Sequence, residues 1–165
     1  GFGAMVMAEG FLLNDEMDDF TIKPGTANMF GLVQGAANAI APGKRPLSSM
    51  APTILLKDGR PRMVLGSPGG ARIITITLLT LLNVVDHGMD AQEAVDAPRF
   101  HHQWLPDEVM IEAAVPAETV KALEARGHKV NVRPPLSSAN SIVVTPKGLV
   151  GAADTRTRGA LAAGH

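Results

Sequence analysis

The sequence predicts an α+β domain with a largely antiparallel sheet and buried helices. Three observations point there. Short apolar strands follow one another across tight turns, from Thr53 to Gly66 and again from Ser141 to Ala152. The segment from Gly70 to Val85 is long and apolar nearly all round, which reads as a buried helix. Two shorter segments carry helix start and stop signals. No repeat, low-complexity tract or linker divides the 165 residues, so a single domain over 1–165 is expected.

Each element has its own signal. Residues 3–13, GAMVMAEGFLL, read as extended segments broken at Glu9-Gly10. NDEMDD, Asn14 to Asp19, reads as an acidic loop. Residues 23–52 are rich in Gly, Pro, Asn and Ala. They read as a long ordered excursion, and such loops usually carry function. TILLK and PRMVLG flank Asp58-Gly59 and predict a hairpin. Within Gly70 to Val85 the Ile and Thr content leaves a strand open, but the length favours a helix. DAQEAVDA, Asp90 to Ala97, predicts a short helix. Asp90 is its N-cap, Glu93 completes a capping box, and Pro98 follows its end. Val109 to Glu112 reads as a short strand. Pro116 to Arg126 predicts a helix with Pro at its first position and Gly127 as its stop. Lys129 to Arg133, Ser141 to Thr145 and Leu149 to Ala152 read as strands, the last two turned by Pro146-Lys147-Gly148.

Composition excludes several functions. Hydrophobic residues at 45% and charged residues at 19% describe an ordered globular chain. A net charge of −1 without a basic run gives no support to nucleic-acid or anionic-membrane binding. Aromatics at 4% argue against a base-stacking surface. Cysteine is absent, which removes disulfides, thiolate metal sites and a Cys nucleophile. The apolar run Ile73 to Val85 is short and interrupted by Thr75, Thr77, Thr80 and Asn83, so it does not read as a membrane span. No signal peptide is visible at the start. The first residue is Gly1 rather than Met, so a processed product or a fragment is expected.

Four stretches stand out chemically. GSPGG, Gly66 to Gly70, precedes the long helix. Its backbone N–H groups and the helix dipole suit an anion. Phosphate, carboxylate and the oxyanion of acyl transfer all fit, as does a plain tight turn. The stretch is neither a Walker loop nor GxGxxG. PLSSM, Pro46 to Met50, offers two adjacent hydroxyls for a carboxylate or a sugar, or else a solvated loop. NDEMDDF, Asn14 to Phe20, puts four acids within five residues. That suits an ammonium group, a metal, or simply a solvated turn, and it lacks EF-hand spacing. RFHHQWLPDE, Arg99 to Glu108, holds adjacent His101 and His102. On a strand they face opposite sides, so joint chelation is a poor reading. A structural corner with Trp104 as packing anchor is the alternative. Together, the acids suit an α-ammonium, the serines an α-carboxylate and the Gly-Gly loop a developing oxyanion. That describes a site for an amino acid whose side-chain carbonyl is attacked.

LLNDEMDDF, PGKRPLSSMAPTI, GSPGGARIIT and APRFHHQWLPDE, in this order, closely resemble the small subunit of γ-glutamyltranspeptidase. The resemblance runs from about Phe2 to GAADTR near the C-terminus. It implies an α+β fold of the N-terminal-nucleophile hydrolase type, a four-layer αββα sandwich completed by a large subunit. It implies a self-cleaving precursor whose two subunits stay together. The N-terminal Thr of the small subunit then attacks the γ-glutamyl amide of glutathione or a related compound. Its own α-amine serves as base, and water or an acceptor amino acid or peptide releases the acyl group. By position, Glu16 and Asp19 hold the substrate α-amine. Ser48 and Ser49 bind its α-carboxylate with an Arg of the large subunit. The N–H groups of Gly69 and Gly70 form the oxyanion hole. No cofactor, metal ion or nucleic acid is expected. A periplasmic, secreted or cell-surface location follows from the family.

The chain also departs from the family pattern. The nucleophilic Thr, its strand and a following Thr and Asn are not found. The first threonine is Thr21, so the N-terminal strand is expected to be missing and this chain alone inactive. Gly1 to Glu9 is slightly shorter than its usual counterpart. Asp154-Thr155-Arg156 replaces a usual D-P-R, a change expected to be tolerated and to loosen a turn. Asp19 favours a transpeptidase over the related cephalosporin and glutaryl acylases, whose substrates lack the α-amino group. Such an acylase, or a vestigial amino-acid-binding module, is the alternative. The chain alone is expected to be poorly soluble, exposing a sheet edge and an apolar face.

Overall fold

A computed structural model describes residues 6–164. The fold is α+β, and the chain divides into two compact units, residues 1–49 and 50–165. Gly3 to Met5 of the extended segment expected at the start lie outside the described residues.

In the first unit β1 (Met7–Ala8) and β2 (Phe11–Leu12) pair as an antiparallel hairpin. Glu9 and Gly10 turn it at φ 49° and 84°, the left-handed pair that a two-residue turn requires. The acidic stretch forms a 3-10 helix over Glu16–Asp19 rather than the expected loop. Asn14 Oδ1 accepts the Glu16 N–H at 3.2 Å, and the Asp15 C=O accepts the Asp18 N–H at 2.9 Å. The first is the kind of side-chain bond that Asn offers at a helix start. The excursion that follows is ordered, as expected. It is pinned by a parallel bridge Thr21–Ala39, an antiparallel bridge Ala27–Val33 and a 3-10 turn over Ala36–Asn38.

The second unit begins with β3 (Thr53–Lys57), β4 (Arg60–Gly66) and a 3-10 turn, Gly70–Arg72, running into α1 (Ile73–Val85). Then come α2 (Ala91–Asp96), β5 (Phe100–His101), β6 (Val109–Glu112), α3 (Ala117–Glu124), β7 (Val130–Arg133), β8 (Asn140–Thr145) and β9 (Gly148–Ala153). The predicted hairpin forms across Asp58 and Gly59, both at positive φ. The capping box forms as predicted. Asp90 Oδ1 accepts the Glu93 N–H at 2.8 Å, and Glu93 Oε2 accepts the Asp90 N–H at 2.9 Å. Pro116 stands one position earlier than predicted, as the N-cap of α3 with extended ψ of 140°.

Strands β3, β4, β8 and β9 form one antiparallel sheet in that order. A second sheet, β5-β6-β7, departs from the antiparallel expectation, because β6 and β7 pair in parallel. The reason is the connection. A whole helix, α3, separates these strands in sequence, and a crossover returns the chain in the same direction.

The core lies on one face of the larger sheet. Met63, Leu65, Val143 and Ala152 pack there with Ile76 of α1 and Ala91 and Val95 of α2. Met63 and Leu65 are two apart, so they share this face, while Val64 between them points away. On the opposite face Ile54, Val64 and Ile142 stand in register, 63%, 39% and 42% exposed. The prediction that α1 is buried all round is therefore corrected. Ile73, Ile76, Thr77 and Thr80 are buried, but Ile74 is 72% exposed. Ile74 and Leu78 are one helical turn apart on an exposed apolar stripe.

Candidate active site

The first unit gathers two of the predicted motifs. In a 3-10 helix residues three apart eclipse one another. Glu16 and Asp19 therefore present their carboxyl groups on one side of the turn. A side-chain hydrogen bond with Asp19, and then repulsion from it, hold the Glu16 carboxyl above the usual carboxylate range. Asp19 Oδ2 accepts a 2.8 Å hydrogen bond from Ser49 Oγ. Ser48, the preceding residue, is exposed. Glu16, Asp19, Ser48 and Ser49 are thus neighbours in space.

Asn38 carries no spacing or motif that marks it in the sequence, yet it connects these stretches. Its Nδ2 donates to the Asp19 C=O at 2.7 Å and to Gln34 Oε1 at 2.8 Å. Its Oδ1 accepts the Leu47 N–H at 3.0 Å.

In the second unit the GSPGG loop leaves the end of β4 and enters the helix. Gly69 has φ 137° and Gly70 φ 59°, a pair of conformations that side chains with a Cβ rarely adopt. A Cβ on Gly69 would also meet Ser137 Cβ and Oγ at 3.1 Å. The loop is clamped from residues 137–138. Ser67 Oγ donates to the Ser138 C=O at 2.6 Å, and Ser137 Oγ donates to the Pro68 C=O at 2.8 Å. The second bond sets a direction. In a trans peptide the N–H points opposite to the C=O. Holding the Pro68 carbonyl on one side therefore turns the Gly69 N–H to the other. Among the described residues, neither the Gly69 nor the Gly70 N–H has a protein acceptor. Two free donors at the start of a helix are suited to negative charge.

A buried charge cluster, missed in the sequence, stands behind this loop. Arg99 Nη2 contacts Asp154 Oδ2 at 2.5 Å, and Arg156 Nη2 contacts Glu112 Oε2 at 2.6 Å. Arg156 Nη1 also reaches Asp154 Oδ1 at 3.1 Å. Burial pushes the Glu112 carboxyl up, but bonds from Arg156 and from the Leu136 and Arg99 N–H groups outweigh it. Asp154 is likewise pushed up by burial and pulled further down by Arg156, Arg99 and the Ala139 N–H. Arg99 Nη1 donates to the Ser137 C=O at 3.2 Å, so the cluster reaches the residue that clamps the glycine loop. Asp154 and Arg156 are two residues apart, but Arg99 and Glu112 lie far from them in sequence, with no signal to pair them. The exchange at Thr155 does not loosen the turn. Its N–H and Oγ1 both donate to Asp96 Oδ1, at 3.1 and 2.8 Å, and a proline has neither donor.

The histidines face opposite ways, as expected. His101 is buried between Thr75 Oγ1 and Gln103 Oε1, both at 2.9 Å, while His102 meets Asp107 at 3.2 Å. The reading of Trp104 as a packing anchor is corrected, since it is 76% exposed at φ 72°. The turn, rather than indole burial, sets this corner. Among the described residues no group of three or more acidic or His side chains is placed to hold a metal ion.

The family model described as gamma-glutamyltranspeptidase matches residues 1–164. Over 166 residues the chain is 52% identical to the glutathione hydrolase proenzyme of Escherichia coli K12, covering 100% of this chain and 29% of that protein. It is 59% identical over 153 residues to the glutathione hydrolase proenzyme of Pseudomonas sp. A14, covering 91% of this chain and 27% of that protein. The chain thus spans between a quarter and a third of the length of these relatives. Among solved structures, a mutant gamma-glutamyltranspeptidase of Helicobacter pylori superposes with a TM-score of 0.87 at 49% identity, covering 95% of this chain and 88% of that one. A cephalosporin acylase from Bacillus halodurans superposes less closely, with a TM-score of 0.69 at 33% identity over 78% of this chain and 25% of that one. The fold is that of N-terminal-nucleophile hydrolases.

Proposed function

Because the chain belongs to the gamma-glutamyltranspeptidase family, we propose that it supplies substrate recognition and oxyanion stabilisation to an enzyme that cleaves γ-glutamyl amides. Glutathione is the natural class of donor. Glu16 and Asp19 hold the α-ammonium of the γ-glutamyl group. Ser48 and Ser49 hold its α-carboxylate, together with an Arg of a large subunit. The nucleophile is a threonine from outside these 165 residues. Its oxygen bonds to the γ-carbonyl carbon, its proton passes to the threonine's own α-amine and from there to the departing amine, and the carbonyl oxygen takes the negative charge. Gly69 and Gly70 donate their N–H groups to that oxygen. As the tetrahedral species collapses, the C–N bond breaks and the departing amine takes a proton. Water or an acceptor amine then releases the γ-glutamyl group by the reverse sequence.

One observation carries the reading, the 2.8 Å bond from Ser49 to Asp19. An α-amino acid bears its ammonium and carboxylate on one carbon. Groups that recognise both must therefore lie within a few ångströms of each other, and a simple acylase substrate needs no such pair. The exposed Ile54, Val64 and Ile142 supply an apolar face that the large subunit covers.

Hydrolysis of γ-glutamyl-p-nitroanilide tests the reading. The complete protein should turn it over and the 165-residue chain alone should not. Strong turnover by the chain alone, abolished by replacing one of its serines, would sink the threonine mechanism.

A further inference from the structure

We propose that Asn38 is a positioning residue that aims both poles of the recognition site at one α-carbon. The inference rests on the functional reading above. Asn38 closes the 3-10 turn Ala36–Asn38 and is half-buried. Its side chain donates to the Asp19 C=O at 2.7 Å and accepts from the Leu47 N–H at 3.0 Å. Its backbone C=O accepts the Thr21 N–H at 2.9 Å. The first contact grips the residue assigned to the ammonium. The second grips the residue just before Ser48 and Ser49. The third holds the chain two residues beyond Asp19.

The chemistry requires a carboxamide. Only Asn and Gln carry two donors and an acceptor on one planar group, and an aspartate in the same place would lose the donors. Two backbone groups fix which way that amide faces. The Asp19 C=O can only accept and the Leu47 N–H can only donate, which leaves Asn38 one orientation, with Nδ2 toward Asp19 and Oδ1 toward Leu47. Gln34 Oε1 then accepts from Asn38 Nδ2 at 2.8 Å and from Thr21 Oγ1 at 2.8 Å. The Ser49–Asp19 bond then spans two segments that are already tied together behind it.

Asn38 acts on the α-carbon end of the substrate, remote from the γ-carbonyl. Its loss should weaken ground state and transition state alike, raising KM while leaving kcat in place. A residue that merely supports the fold would lower the melting temperature or the amount of active enzyme without shifting KM.

The test uses the complete enzyme with Asn38→Ala and Asn38→Asp, assayed on γ-glutamyl-p-nitroanilide. L-Glutamate and glutarate serve as competitive inhibitors, since glutarate lacks the amine. Both variants are expected to raise KM about tenfold with kcat within about twofold. Asn38→Asp keeps the acceptor for Leu47 and loses the donor to Asp19. It should weaken glutamate more than glutarate. An unchanged KM, equal weakening of both inhibitors in Asn38→Asp, a fall in kcat alone, or failure of both variants to fold would overturn the assignment. Absence of turnover in the unmodified enzyme would instead overturn the functional reading itself.

Discussion

Ser49 and Asp19 lie 30 residues apart in the chain, and the hydroxyl of one donates to the carboxylate of the other at 2.8 Å. The contact sets a hydroxyl beside a carboxylate, and because serine has one O–H to give, Ser49 must turn that donor away from Asp19 to meet a substrate carboxylate while Asp19 is freed for an ammonium. Asp19→Asn keeps an acceptor for Ser49 and removes the charge. The expected outcome is a KM for γ-glutamyl substrates raised on the order of 10- to 100-fold, the loss of one charge-assisted hydrogen bond. Initial-rate kinetics of the complete enzyme measure it.

Glu16 gives the site a pH dependence. Its carboxyl is held above the usual range by its hydrogen bond with Asp19 and by their mutual repulsion. As pH falls through that raised value, Glu16 loses its negative charge and the site attracts an ammonium less. KM should therefore rise from neutral toward mildly acid pH. Glu16→Gln removes this step, so its KM should stay flat over the same interval. The opposite pattern, a KM that falls on acidification, would show that the pair does not meet the ammonium.

Gly69 has no tolerance for a side chain. At φ 137°, with Ser137 3.1 Å from an added Cβ, Gly69→Ala strains the backbone that carries this N–H and crowds the Ser137 side chain that clamps the loop. The expected loss is about 100- to 1,000-fold in kcat, comparable to deleting one oxyanion donor. KM should change little, because the oxyanion forms only after binding. A variant losing affinity and keeping its rate would place the loop outside the chemistry.

The charge cluster is a stability element. Asp154→Ala leaves Arg99 buried and uncompensated, at a cost of about 3–5 kcal/mol. The folded pKa values of Asp154 and Glu112 are depressed. Their contribution is fully present above the ordinary carboxylate range and is lost as pH falls below it. Thermal melts of the enzyme between neutral pH and about pH 3 should show the difference between wild type and Asp154→Ala shrinking on acidification. A constant difference would mean that the ion pairs are not its source.

Much of this was legible beforehand where the determinants are local. The Asp58-Gly59 hairpin and the Asp90–Glu93 capping box follow from residues within one turn of each other, and both formed. The parallel pairing of β6 with β7 did not show, because strand direction depends on where the intervening helix packs. The exposure of Ile74 was hidden for a similar reason. Hydropathy records what a face prefers and not whether anything covers it. In the site, the four motifs read as separate stretches. Asn38, which joins two of them, is a single polar residue in a loop, and only folding gives its side chain three partners. Arg99 and Glu112 join the neighbouring pair Asp154 and Arg156 only through tertiary contacts.

The proposed recognition of the α-amino group is what separates the γ-glutamyl reading from the acylase alternative. The decisive measurement compares kcat/KM of the complete enzyme on γ-glutamyl- and glutaryl-p-nitroanilide, before and after Asp19→Ala. A strong preference for the γ-glutamyl amide that collapses on substitution is the expected result. Equal use of the two amides, or a preference that survives Asp19→Ala, would contradict it.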